Sequence, residues 1–236
     1  MKKLIVSGCS WGDDNFFSQF HPDMDCDWLK WPTLLATKLN MEVINLCKNG
    51  AGQEYIYSSI SDYIQKTRKE DIGLVIAAWS TSPRRCYQNK TYWRNDRTDF
   101  RGDMIYWIDR SIRYQYAFQN LMKQEKLNYI QLQMISLYKG HIWEINKKEM
   151  GVTNEKTEDI KLGAEYNKLK EKALYTLMNT KYKFDDKFIG WPTDEIIGGY
   201  TIESLLEEKY RISELDRHPN EIGQQKIAEL IYDRLG

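Results

Sequence analysis

The sequence predicts an α/β protein built on a parallel sheet, and three observations carry that prediction. Three apolar runs, at Leu4–Val6, Met41–Cys47 and Asp71–Trp79, have the length and composition of buried strands. Two helical patterns, at Trp31–Asn40 and Gln53–Arg68, separate them and give the β-α-β-α-β rhythm of parallel strands with covering helices. The first strand then runs into a glycine-flanked turn, Gly8-Cys-Ser-Trp-Gly12, at the place where open α/β sheets bind ligands.

Each element has a local reason. Pro32 falls in the first turn of the Trp31–Asn40 helix, where its missing N–H costs nothing, and Leu34, Leu35 and Leu39 follow at helical spacing. Ile56, Ile60, Tyr63 and Ile64 share one face of the second helix, after a loop at Lys48–Gly52. The rhythm breaks after Trp79. Ser80–Arg85 reads as a loop and Cys86–Gly102 as an irregular, aromatic, arginine-rich stretch. A long helix is expected at Met104–Glu125 and a fourth strand at Leu127–Ser136, with Tyr129, Gln131 and Gln133 alternating against apolar neighbours. Tyr138–Lys187 reads as an insertion with a helical pattern over 154–178. A short strand at Phe188–Pro192, a short helix at Thr201–Glu208 and a terminal helix at Glu221–Leu235 complete the chain. No repeat or Gly/Ser linker interrupts it, so one domain over 1–236 is expected, with insertions at about 86–103 and 138–187.

Composition narrows the function classes. In 236 residues, 34 basic side chains balance 34 acidic ones, which gives no global attraction to nucleic acid or an anionic membrane. No apolar run approaches the roughly 18–20 residues of a membrane span. The apolar part of Met1–Asp14 is too short for a signal peptide, and the chain reads as cytoplasmic. None of Cys9, Cys26, Cys47 and Cys86 forms a CxxC pair or adjoins a histidine, which argues against structural zinc. Cys9 and Cys47 read as small buried hydrophobes in a reducing compartment, and no metal or cofactor is expected. An aromatic content of 13% exceeds ordinary core needs and points to a binding surface.

Ser10 sits at the tip of the first turn. A serine there can be a nucleophile or a helix cap, and a glycine-rich turn there can belong to a nucleotide-binding fold. The last reading lacks both the phosphate-loop lysine and the three-glycine spacing. Cys9 is an alternative nucleophile. Of the three histidines, His218 lies two residues after Asp216, and on an extended loop that spacing turns both side chains to one side. A histidine oriented by a carboxylate can act as general base towards a serine. The same stretch also fits a bland helix start, with Asp216 or Asn220 capping and His218 on the surface. Glu214 is a second carboxylate within reach, His21 could face the site, and Asp13 and Asp14 read as capping or solvated rather than metal-binding.

Together, Gly8-Cys-Ser-Trp-Gly12 and Asp216-Arg-His-Pro-Asn220 resemble the first and last blocks of the SGNH (GDSL-like) hydrolase superfamily. The resemblance implies a flavodoxin-like three-layer α/β/α sandwich with loop and helix insertions. It also implies a triad of Ser10 as nucleophile, His218 as base and Asp216 as its partner. Asn45-Leu-Cys-Lys-Asn-Gly50 is similar to the second block, which implies that Gly50 joins Ser10 in offering backbone N–H groups to an oxyanion. The third block, Gly-x-Asn-Asp, is replaced by Ser80-Thr-Ser-Pro-Arg84. Aligning strand ends puts Ser82 at the asparagine as the third oxyanion donor, with Ser80 or Arg84 as substitutes. The spacing of Asp216 to His218 is also one residue shorter than in most members.

By this resemblance the chain is a serine esterase or acyl hydrolase without a cofactor, acting on a small-molecule or glycan ester such as an O-acetyl group. Trp11 beside the serine, with Arg84, Tyr92 and Trp93, is expected to contact substrate. The stretch 84–118, where Arg84, Arg85, Arg110 and Arg113 mix with aromatic residues, could stack sugar rings, hold an anionic glycan or bind a nucleic-acid strand. From residue 104 the same pattern also fits an amphipathic helix with core aromatics. The altered third block raises a second reading, a catalytically impaired binding module for a glycan, nucleotide or nucleic acid. The oligomeric state is not legible.

Overall fold

The computed structural model describes residues 1–89, 92–96, 103–138 and 164–235. In chain order the elements are β1 (Lys3–Ser7), α1 (Trp31–Leu39), β2 (Glu42–Asn45), α2 (Gln53–Ile64), β3 (Ile72–Trp79), β4 (Arg85–Asn89), β5 (Tyr92–Asp96), α3 (Met104–Glu125), β6 (Tyr129–Gln133), α4 (Ala164–Met178), β7 (Phe188–Ile189) and α5 (Glu221–Tyr232). Strands β2-β1-β3-β6-β7 form one sheet in that order, and every neighbouring pair is parallel. The register Val6↔Asn45 and Ser7↔Ala77 brings the carboxyl ends of β1, β2 and β3 nearly level.

Side-chain alternation along the strands builds the layers. Leu4, Val6, Leu74, Ile76, Ala78, Ile130 and Leu132 pack with Trp31, Leu35 and Ala36 of α1 and Ile227, Ala228 and Ile231 of α5. The intervening residues Ile5, Val75, Ala77, Trp79 and Tyr129 face Ile56, Ile60 and Ile64 of α2 and Phe118 and Met122 of α3. Helices thus cover both faces, and the architecture is a three-layer α/β/α sandwich. A smaller cluster joins Met104, Ile108 and Ile112 of α3 to Ala173 and Leu177 of α4.

Several elements differ from the sequence expectation. Cys86–Gly102 is not wholly irregular, because Arg85–Asn89 and Tyr92–Asp96 pair as an antiparallel hairpin. The expected helix at Thr201–Glu208 is two separate 3-10 turns, Glu203–Leu205 and Glu208–Tyr210. Cys47 lies just beyond β2 and is only partly buried. Gln131 and Gln133 are fully buried, although the alternation reads as a polar face. Trp79 Nε1 donates to Gln131 Oε1 (2.9 Å), Gln115 Nε2 donates to Gln133 Oε1 (3.1 Å), and Gln133 Nε2 donates to Ser80 O (2.8 Å) and Ile135 O (2.7 Å). Gln53 Nε2 adds a bond to Ser80 O at 2.6 Å. These bonds hold the end of β3, while Gln131 Nε2 and Gln115 Oε1 are buried without a partner among the described residues. Residues 154–163 of the predicted helix and much of the two predicted insertions lie outside the described residues.

The irregular stretch between β1 and α1 is anchored by Lys30. This buried ammonium donates to Cys26 O and, at 3.0 Å, to Trp28 O, and burial pulls its pKa down against the raising influence of nearby Cys26 and Asp14. No described helix is long and apolar enough to cross a membrane.

Gln224 of α5 spans the fold. Its Oε1 accepts from Trp31 N (2.9 Å) and its Nε2 donates to Trp11 O (3.0 Å), so one buried amide ties α5 to the start of α1 and to the serine turn. Gln224→Ala strands both backbone groups, each at a cost of about 1–3 kcal/mol. Urea unfolding should show a lower midpoint with an unchanged m-value, and an unaltered midpoint would contradict this role.

Candidate active site

The turn after β1 is a single 3-10 turn, Ser10–Gly12, and it is wholly buried apart from a sliver of Ser10. Neither flanking glycine has a left-handed backbone; both are there for space. A Cβ on Gly8 would lie 3.0 Å from Ala78 Cβ and 3.2 Å from Cys47 Sγ, and one on Gly12 would lie 2.8 Å from Cys47 Sγ and 3.0 Å from Trp31 Nε1. The turn therefore threads between the ends of β2, β3 and α1, with Ser10 projecting at the carboxyl edge of the sheet.

The last loop arrives at the same place. Ser10 Oγ is 2.9 Å from His218 Nε2, and His218 Nδ1 is 2.6 Å from Asp216 Oδ1. A carboxylate only accepts, so Nδ1 carries the proton and Nε2 is left as the acceptor for the Ser10 hydroxyl. The spacing of two residues is sufficient because His218 N also donates to Asp216 Oδ1 at 3.1 Å, closing a tight turn. The loop is fixed by Ile212 N to His218 O (2.9 Å) and Arg211 Nη1 to Arg217 O (2.8 Å). Asn220, not Asp216, caps α5, accepting from Gly223 N at 2.9 Å. The capping residue and the orienting carboxylate are thus different residues, and Glu214 is exposed.

Two contacts from the stretch after β1 were not legible in sequence. Ser18, 1% exposed, donates to Asp216 Oδ2 at 2.5 Å, so the second carboxylate oxygen is also bound. Phe16 lies over the His218 ring with centroids 4.4 Å apart. Ser18 is 198 residues from Asp216 in sequence, and no spacing rule could have joined them. His21 also faces this loop, with Nε2 2.7 Å from Ser213 Oγ. Burial raises the Asp216 pKa, but the hydrogen bonds from His218 and Ser18 and the charge His218 can carry outweigh it, so the carboxyl lies below its ordinary value. Its ionisation therefore stabilises the fold above the unfolded carboxyl pKa, and that contribution is lost as pH falls through the depressed folded value.

The loop after β2 is stapled to the serine turn by three bonds. Lys48 N donates to Gly8 O (3.0 Å), Asn49 N to Asp13 Oδ2 (2.7 Å) and Asn45 Nδ2 to Gly12 O (2.7 Å). Asp13 thus serves this loop. Gly50 follows with φ +74°, a left-handed conformation that glycine adopts without strain. Among the described residues, neither the Ser10 N–H nor the Gly50 N–H donates to a protein acceptor. For Ser10 this follows from its place at the start of a helical turn.

The end of β3 departs from the expectation. Ser82 is fully buried and its N–H donates to Leu137 O at 2.7 Å, so it presents no surface to a ligand and does not stand in for an oxyanion asparagine. The Ser80 hydroxyl is also buried and accepts from Arg84 Nη1 at 2.7 Å. Trp11 is 4% exposed, with Arg211 Cζ 5.6 Å from its ring, and is a core residue rather than a substrate contact. Tyr92 is 71% exposed, while Trp93 packs edge-on against Tyr55 at 5.4 Å. Arg84 is half-buried and bridges the loops after β2 and β3, with Nη1 3.3 Å from Ala51 O.

Comparison with solved structures matches the chain along nearly its whole length. A lipolytic protein of the G-D-S-L family from Desulfitobacterium hafniense superposes with a TM-score of 0.51 at 13% identity, covering 99% of each chain. The fold is that of the SGNH hydrolases. An SGNH hydrolase from Slackia heliotrinireducens gives a TM-score of 0.50 at 8% identity, covering 100% of this chain and 99% of that one. A psychrotrophic esterase from Pseudoalteromonas sp., inhibited by monoethylphosphonate, gives 0.50 at 11% identity, covering 100% and 97%. No protein-family profile and no curated protein matches the sequence. At such identities the backbone path is shared and the side chains must be judged on their own geometry.

The Ser18 contact is testable. Removing a hydrogen bond to a charged group costs about 1.5–3 kcal/mol, so Ser18→Ala should lower ester-hydrolysis kcat/KM at least about ten-fold while circular dichroism stays native. Wild-type kcat/KM in the variant would show that the contact is incidental.

Proposed function

We propose that the chain is a serine ester hydrolase acting through Ser10, His218 and Asp216. The observation that carries this reading is the unbroken relay from Ser10 Oγ to His218 Nε2 (2.9 Å) and from His218 Nδ1 to Asp216 Oδ1 (2.6 Å) at the carboxyl edge of the sheet. His218 Nε2 takes the Ser10 proton as Oγ attacks the acyl carbon. The imidazolium that forms is balanced by Asp216, which Ser18 holds on its far oxygen. The tetrahedral oxyanion is received by the Ser10 and Gly50 N–H groups. His218 then returns the proton to the departing alkoxide, leaving an acyl-serine, and water activated by the same imidazole releases the acid. Phe16 shields one face of the imidazole from water and so strengthens the electrostatics of the pair.

The substrate class supported by this chemistry is an O-acyl ester of a small molecule or glycan. The Tyr92 side of the β4–β5 hairpin, exposed and aromatic, is suited to stacking on a sugar ring. The absence of a side-chain donor at Ser82 favours a second reading, a binding module on the same fold with little or no turnover, because each oxyanion donor is worth about 100- to 1,000-fold in rate.

A fluorophosphonate probe separates the two readings. The hydrolase reading expects covalent labelling of Ser10, and losses of about 10,000-fold or more in turnover of 4-nitrophenyl acetate for Ser10→Ala and His218→Ala. An unlabelled serine with no ester turnover would leave the binding module. Undiminished activity in Ser10→Ala would remove this triad from the chemistry.

A further inference from the structure

We propose that Arg84 and Arg110 form an anion-reading subsite beside Ser10, so that the natural ester carries a carboxylate or phosphate near the scissile bond. The inference takes its ester from the hydrolase reading above, while the anion site stands on its own residues.

Position is the first ground. Strand order reverses between β1 and β3, which pair side by side while β2 lies beyond β1, and the crevice at such a reversal is where α/β sheets hold ligands. Ser10 leaves β1 at this crevice and Arg84 closes the loop that leaves β3. The Arg84 guanidinium is pinned there by Ser80 Oγ (2.7 Å) and Ala51 O (3.3 Å), and Ala51 is the neighbour of Gly50. Gly52 removes the last obstacle, because a Cβ there would lie 2.8 Å from Arg84 O and 2.9 Å from Arg84 Cβ.

Uncompensated charge is the second. Arg110, from α3, donates from Nη2 to Arg84 O at 2.6 Å and lies over the Trp107 ring at 4.6 Å. Both guanidiniums are therefore half-buried and held by neutral oxygens and a ring, with Arg110 reaching the backbone carbonyl of Arg84. Among the described residues no carboxylate comes within ion-pair distance of either. Asp109 turns instead to Arg113 (3.9 Å), and Glu54 in the first turn of α2 is the nearby carboxylate, acting on Cys86 together with Arg84 and on Tyr114 together with Arg110 without an ion pair to either. Arg110 Nε is buried without an acceptor among the described residues. A cation held at reduced solvation without a carboxylate partner is costly, and a bound anion removes that cost. The planar guanidinium fork matches carboxylate and phosphate oxygens, and its free N–H groups supply the directed bonds. This crevice occupies the place of the third-block asparagine. The chain has cationic selection of substrate where the Ser82 hydroxyl was expected.

The test uses two matched substrate pairs, one charged on the acyl side (mono-4-nitrophenyl glutarate against 4-nitrophenyl butyrate) and one on the alcohol side (4-acetoxybenzoate against its methyl ester). Wild-type protein should prefer the charged member of at least one pair by about ten-fold or more in kcat/KM, the size of a directed bond to a charged group. Arg110→Gln should collapse that ratio towards one, Arg110→Lys should restore part of it, and raised salt should weaken it. Calorimetric titration of glutarate and of inorganic phosphate into Ser10→Ala protein reads the anion site without turnover. Saturable binding weakened about ten-fold by Arg110→Gln supports it, and the tighter of the two anions names the group. Equal rates within both wild-type pairs together with no arginine-dependent anion binding would overturn the inference. If no ester is cleaved but anion binding still depends on Arg110, the hydrolase reading fails and the anion site remains.

Discussion

The structure depends on a passage too narrow for side chains. The chain leaving β1 must cross between the ends of β2, β3 and α1, and at Gly8 and Gly12 there is no room for a Cβ against Ala78, Cys47 and Trp31. Close packing here does more than fill space. It brings the backbone of the serine turn within reach of the loop after β2, so that Lys48, Asn49 and Asn45 can bond to it directly. Gln224 fixes the turn from the other side through Trp11 O. A serine carried on a turn held by so many unrelated segments has little freedom, and that is the condition for Ser10 Oγ to meet His218 Nε2 at bonding distance.

The hydrogen-bonded constellation of Ser10, His218 and Asp216 joins the two ends of the chain, and burial decides its electrostatics. Asp216 is almost fully buried, which alone would favour its neutral form. It remains ionised because both oxygens are bound, one to His218 and one to Ser18. The irregular stretch 13–30 is therefore part of the site. It supplies Ser18 to the carboxylate and Phe16 to the imidazole, and it is itself held to the body of the fold by Lys30.

The end of β3 is where this chain departs from the third-block pattern that its sequence resemblance implies. Ser80 and Ser82 are drawn inwards, into a network with Gln53, Gln133 and Leu137. Arg84 bonds to the Ser80 hydroxyl and Arg110 to the Arg84 carbonyl. Ser82 is fully buried, whereas the Arg84 guanidinium is half-buried, so this edge of the crevice is charged rather than neutral.

Periodicity and turn chemistry determined the order of the strands and helices of the main sheet and the place of Ser10 at the first strand's end, and they put Asp216 and His218 within reach of each other while leaving a capping role for Asp216 open. Those are local properties, written in residues a few positions apart. The Gly50 loop was legible for the same reason, since a left-handed turn demands a glycine. The 85–96 hairpin was missed because neither strand carries the strict alternation that marks a half-buried strand, and the burial of Gln131 and Gln133 was not legible because it depends on partners distant in sequence. Trp11 was assigned to the site as the neighbour of Ser10 and Ser82 by its alignment with the third block of the resembled family, yet both are buried. Ser18 against Asp216, and Arg84 against Arg110, are contacts between segments far apart in sequence. Only the tertiary structure decided them, because which distant polar groups meet depends on how the layers pack and on what each buried group needs as a partner.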